Sequence, residues 1–118
     1  MDSKEIFQTL KATLQLYESK LLLVHNEAEN YYLHTPAIGE NKKDEFFGAV
    51  QIKKSYVAFH LMPIYYHPHL LDSVSEDLKK CMQGKSCFNF KQVNEERFQE
   101  LALLTKQSFQ LYKKLQKV

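Results

Sequence analysis

The stretch EFFGAVQIKKSYVAFHLMP, residues 45–63, constrains the fold of this chain more than any other segment. On each side of a short polar turn at residues 53–55, the side chains alternate with the period of two that is typical of β-strands. The residues that share one side are Phe46, Gly48, Val50 and Ile52 before the turn, and Val57, Phe59 and Leu61 after it. The pattern predicts an antiparallel hairpin over residues 45–62, ended by Pro63.

Helices are predicted on both sides of this hairpin. Asp2 followed by Glu5 fits a capping box, and apolar residues then recur at helical spacing over about residues 3–20. Ser75 is expected to begin a short helix that runs through Cys81, and Asn94 a long final helix. Helical periodicity at both ends of the chain therefore encloses the hairpin.

Further strands are predicted at residues 20–27, 30–36 and 86–90, where short apolar and aromatic runs are bounded by turn residues. Strands grouped between helices indicate an α+β fold. We predict a single domain over residues 1–118, in which an antiparallel sheet has the N-terminal and C-terminal helices packed on one face.

Composition excludes several classes of protein. Eight phenylalanines and seven tyrosines supply too much apolar surface for a disordered chain. The formal charge of +2 and the scattered lysines give no reason to expect a nucleic-acid partner. The longest aliphatic run, residues 21–24, is too short to cross a membrane, so we expect a cytoplasmic protein whose two cysteines are free thiols.

The segment GKSCFNFK, residues 84–91, has the Gly-Lys-Ser of a phosphate-binding loop but not its context. Such a loop has glycine five positions earlier and a helix directly after it. Position 79 is lysine, and the residues after Ser86 have a strand pattern. We therefore predict that Gly84 ends a helix, that Lys85 is solvated, and that no nucleotide binds at this motif.

The segments TPAI, the hairpin and LKKCMQGKSCFNF, followed by an amphipathic helix, resemble the YdhG-like family, and in order of elements the resemblance covers nearly the whole chain. These are small bacterial proteins of unknown function, some of which are described as frataxin-like iron chaperones. The usual family segments are close to MPAF and GTIRF, so the resemblance is to a divergent branch. It implies an iron-binding chaperone as an alternative function.

Metal and thiol chemistry are each supported by few residues. Imidazoles of His60, His67 and His69 are an alternative metal-ligand set, but the acidic residues that hard cations prefer are scattered. We therefore predict no metal site and no cofactor. A thiolate formed by Cys87 with a histidine is a third, distant alternative, and we predict that the protein is not an enzyme.

The alternation predicts a polar sheet face opposite the helices. Its members are Gln51, Tyr56, His60, Cys87 and Asn89, joined by Tyr32 and His34 if the preceding strand pairs in register. Small Ala49 and Ala58 among them predict a shallow depression. We predict that His34, Gln51, Tyr56, His60, Cys87 and Asn89 bind a small molecule or a protein partner. The alternative is an ordinary solvated sheet side, and a homodimer is compatible with the sequence.

Overall fold

The computed structural model describes residues 2–40 and 43–118, and within them it contains an antiparallel sheet of five strands. The strands are β1 (Leu22–Glu27), β2 (Asn30–His34), β3 (Phe46–Ile52), β4 (Val57–Leu61) and β5 (Cys87–Phe90), paired in chain order. The helices are α1 (Ser3–Gln15), α2 (Pro63–Tyr66), α3 (Glu76–Lys79) and α4 (Glu95–Lys114). The predicted α+β fold and the predicted hairpin are confirmed.

Side-chain caps explain where the helices begin. Asp2 accepts a hydrogen bond from the Glu5 amide at 3.0 Å, and the Ser75 hydroxyl accepts one from the Leu78 amide at 3.1 Å. The Asn94 side chain caps α4 in the same way. Each cap satisfies an amide that has no partner inside the helix. The first helix is shorter than predicted, because it ends at Gln15 and a 3₁₀ turn over Glu18–Lys20 follows.

The core lies between the sheet and the helices. In β4 and β5, the side chains of Val57, Phe59, Leu61 and Phe88 are at most 1 % exposed, as their alternation predicts. Helix α1 packs on β3 and β4 through its own buried stripe. None of the helices in the described residues is both long and apolar enough to cross a membrane.

A β-bulge in β3 changes which residues face the core. Leu33 pairs with Gly48 and His34 with Phe46, so Phe47 is an extra residue between the two pairs. Phe47 is buried, with its ring centroid 5.8 Å from that of Tyr112 on α4. Phe46 lies on the opposite sheet face. The prediction that Phe46 shares a side with Gly48 is therefore wrong, because strict alternation does not continue through the bulge.

The two edges of the sheet differ. All six residues of β1 are exposed along their edge. The outer side of β5 is covered by the chain that follows α3: the Asn89 amide donates to the Cys81 carbonyl at 2.8 Å, and the Gln83 amide donates to the Cys87 carbonyl at 2.9 Å. Helix α3 ends at Lys79, so the predictions that it runs through Cys81 and that Gly84 ends it are wrong; Gly84, with a φ of 79°, instead turns the chain between this segment and β5. As predicted, a strand and not a helix follows the Gly-Lys-Ser motif.

Candidate ligand-binding face

The sheet side opposite the helices, here called the open face, gathers most of the predicted site. Strand register aligns Ala49, His60 and Cys87 in one row across β3, β4 and β5. The next row contains Asn30, Gln51, Ala58 and Asn89. Tyr32, His34 and Phe46 complete the face on β2 and β3, and Tyr56 lies at its end, directly before β4.

Two alanines lie buried beneath the larger side chains of the open face. Ala49 is 0 % exposed and Ala58 is 1 % exposed, although neither side chain points towards the helices. Larger neighbours therefore cover them. His60 of β4 pairs with Ala49, and Gln51 of β3 pairs with Ala58. Because these neighbours cover both alanines, solvent does not reach them, and the shallow depression that the sequence predicts does not open onto them.

A row of aromatic rings crosses the open face. The rings of Tyr32 and Phe46 are stacked, with centroids 4.6 Å apart. His60 meets Phe46 edge-on at 6.2 Å, His34 lies 5.4 Å from Tyr32, and His25 of β1 lies 5.7 Å from Tyr32. The row thus extends from β1 to β4, and its centre is the Tyr32–Phe46 stack.

Sequence reasoning missed two members of this row. Phe46 was assigned to the other side because nothing in the residue types marks the bulge at Phe47. His25 belongs to an exposed strand with no clear alternation, and β1 itself has a register shift between Leu23 and His25. The aromatic pair Tyr31–Tyr32 inside the strand predicted at residues 30–36 was the available signal, and it places Tyr32 on the open face only if that strand pairs in register.

Hydrogen-bonding groups lie beside the rings. The Gln51 amide donates to the Asn30 side chain at 3.1 Å, which fixes both across β2 and β3. The Cys87 thiol lies 3.3 Å from the Asn89 side-chain oxygen and 3.9 Å from Nε2 of His60. The fold therefore brings together four of the predicted residues: Gln51, His60, Cys87 and Asn89. His34 lies apart from them, at the end of β2.

The surroundings of the Cys87 thiol and the His60 imidazole favour the uncharged form of each group. Burial, and to a smaller degree the Lys53 ammonium group, lowers the pKa of His60. Burial raises the pKa of Cys87, although Lys53 opposes this effect. Both groups therefore favour their neutral forms at neutral pH. A thiolate–imidazolium pair requires the opposite shifts, so this arrangement suits hydrogen bonding better than nucleophilic attack.

The alternative metal ligands are not assembled into one group. His67 and His69 lie in the segment after α2, with their rings 6.0 Å apart, and His67 packs against Tyr112 of α4. His60 belongs to the open face. In the part of the chain that the structure describes, no three side chains of His, Cys, Asp or Glu converge in a way that could hold a metal ion.

Comparison with protein-family models, with curated proteins and with solved structures gives no match for this chain. The resemblance to the YdhG-like family therefore stays a prediction from the sequence. What the protein does has to be inferred from the geometry and chemistry of the open face.

Proposed function

We propose that this chain is a non-enzymatic binding domain that holds a small planar ligand on the open face of its sheet. The observation that supports the proposal is the stacked pair Tyr32–Phe46 beside the His60 imidazole on this face. Aromatic walls with a few placed polar groups are the usual composition of a small-molecule site. We also propose a cytoplasmic location, with which the free thiols of Cys81 and Cys87 agree.

The proposed ligand is a heteroaromatic ring with polar atoms at its edge. Its face would lie against the ring of Phe46 or Tyr32, and its edge atoms would meet His60 and Gln51. A neutral imidazole has one donor and one acceptor, and the Gln51 amide also offers both, so the face can bind rings with mixed edges. Carbon-only rings would gain the stacking but not these hydrogen bonds.

The expected affinity for a fragment is low. One aromatic contact contributes about 0.5–1.5 kcal/mol beyond buried area, and one hydrogen bond about 0.5–1.5 kcal/mol. Part of this gain is lost to the entropy of association. We therefore expect single-ring fragments to bind no more tightly than a Kd of roughly 1 mM, which corresponds to about −4 kcal/mol. A natural ligand with more than one ring would bind more tightly.

The other two functions expected from the sequence have less support. An iron chaperone needs clustered hard ligands, and the described residues contain no group of three side chains that could hold a metal ion. A thiol enzyme needs a thiolate, and burial of Cys87 favours its protonated form. We therefore propose neither.

An NMR screen of heteroaromatic fragments against the ¹⁵N-labelled protein tests the proposal. We expect shift changes to cluster at Tyr32, Phe46, Gln51 and His60, and the binding to weaken in His60→Ala. The matched control is His69→Ala, which removes an exposed histidine outside the open face. Hits confined to residues 67–69, or equal weakening by both variants, would contradict the proposal.

A further inference from the structure

A cavity of about 460 Å³ lies at the β5 end of the molecule, beside the open face. Its walls come from three segments: the end of the β3–β4 turn, the chain after α3, and the connection from β5 into the first turn of α4. This volume lies within the range of roughly 300–1,000 Å³ that small-molecule sites occupy. Tyr56 and Asn89 line the cavity and also belong to the open face.

The cavity is electropositive. Of its lining residues, Lys80, Lys91 and Arg97 are cationic, and none of those that the structure describes is acidic. The other polar groups on its walls are hydroxyls and side-chain amides, including those of Gln83 and Asn89. Hydroxyl and amide groups can donate hydrogen bonds to an anion without adding negative charge.

Arg97 is the residue best placed to recognise an anion. It is partly buried, and its guanidinium Nη1 donates to the Cys81 sulfur at 3.7 Å. Sulfur is a weak acceptor, so this contact positions the guanidinium without satisfying it. Across residues 2–40 and 43–118, no carboxylate oxygen lies within 4.0 Å of the charged nitrogen atoms of Arg97, Lys80 or Lys91.

Acidic residues line a neighbouring cavity. Asp77, Glu96 and Glu100 line an adjoining cavity that also contains Arg97. The carboxylate of Glu100 is already engaged, because it accepts hydrogen bonds from the Ser75 amide and the Ser75 hydroxyl, each at 2.6 Å. The described residues that line the cationic cavity itself carry three positive charges and no negative one.

We propose that this cavity binds the phosphate group of a small phosphorylated molecule. A guanidinium with its fork of donors matches phosphate oxygens in pairs, and two ammonium groups balance the remaining charge. A nucleic acid is a poorer fit, because a strand needs a continuous basic surface and the formal charge of the chain is only +2. Phosphate binding in this cavity does not require a ligand on the open face.

The test is a titration of the full chain with inorganic phosphate and with phenyl phosphate, followed by ¹⁵N NMR. We expect saturable shifts at Lys80, Lys91 and the Arg97 side chain, with phenyl phosphate binding at least as tightly as phosphate. A hydrogen bond to a charged group contributes enough that Arg97→Gln should weaken binding about tenfold or more. The phosphate affinity of Arg97→Lys, which keeps the charge but not the paired donors, should lie between that of the unmodified chain and that of Arg97→Gln.

The control variant is Lys106→Gln, which removes one charge from an exposed position of α4 outside the cavity. Equal weakening by Arg97→Gln and Lys106→Gln would show a general charge effect and would overturn the proposal. Non-saturating shifts with both phosphates, or much tighter binding of a short single-stranded oligonucleotide than of phenyl phosphate, would also overturn it. His60→Ala should leave phosphate affinity unchanged, so failure here is distinguishable from failure of the open-face proposal.

Discussion

Phe46 and Phe47 are neighbours in the chain, but the bulge in β3 gives them opposite roles. Phe47 is 0 % exposed, and its ring meets Phe109 at 6.2 Å and Tyr112 at 5.8 Å between centroids. Phe46 is half-buried on the open face, where its main contact is the stack with Tyr32. Replacing each of them with alanine therefore removes very different interactions.

We expect Phe47→Ala to lower the free energy of unfolding by about 3–5 kcal/mol, the usual range for truncating a core phenylalanine. We expect Phe46→Ala to lower it by about 0.5–1.5 kcal/mol, the contribution of one aromatic pair at a half-buried site. Since a domain of this size has a total stability of about 5–15 kcal/mol, the first change is severe and the second is mild.

Urea unfolding followed by far-UV circular dichroism measures both values, and Phe47→Leu provides a folded variant if Phe47→Ala does not fold. A thermal scan should show a drop of roughly 12–20 °C for Phe47→Ala, at about 4 °C per kcal/mol. Without the bulge, strict alternation would bury Phe46 and expose Phe47. A larger loss for Phe46→Ala than for Phe47→Ala would therefore refute the register described here.

Three further predictions concern single groups. Because the pKa of His60 is lowered in the folded protein, the unfolded chain binds a proton more readily, and stability should fall as the pH drops through about 6.5. In His60→Gln, the urea midpoint should therefore depend less on pH between about pH 7.5 and 5.5. An unchanged pH dependence would show that His60 is not desolvated. Gly48→Ala should cost about 1–3 kcal/mol, because the added Cβ would lie 3.0 Å from the His60 carbonyl oxygen and 3.2 Å from Leu14 of α1; no loss in urea unfolding would mean that α1 packs elsewhere. Burial raises the pKa of the Tyr112 hydroxyl to about 12, and this hydroxyl has no hydrogen-bond partner among the described residues. Tyr112→Phe should therefore be neutral or stabilise the protein by up to about 1 kcal/mol. A loss of stability above about 1 kcal/mol would reveal a hydrogen bond that the hydroxyl makes.

The fold was largely predictable because its signals are local. The hairpin turn at residues 53–55 and the caps at Asp2, Ser75 and Asn94 are each specified within four or five residues of sequence. The short α2 and the 3₁₀ turn over Pro68–Leu71 were not predicted. Pro63 and Pro68 ended the strand pattern correctly, but they are also good first residues for helical turns, and sequence gives no way to choose.

The candidate site was predictable only in part. Alternation in β4 and β5 placed His60, Cys87 and Asn89 together correctly, since neither strand has a bulge. Phe46 was missed because a bulge depends on packing between a whole strand and the helices, which leaves no mark in a single sequence. The cationic cavity was also missed, because Lys80 follows α3 whereas Lys91 and Arg97 lie between β5 and the first turn of α4, and only the fold brings these two segments together.

If this protein binds its ligand on the open face, a crystal structure with the tightest heteroaromatic fragment should show the fragment there. We expect electron density for a ring stacked on Phe46 or Tyr32, with a polar edge atom within hydrogen-bonding distance of His60 or Gln51. Density for the fragment beside residues 67–69, or an open face left empty while the fragment occupies another surface, would contradict it.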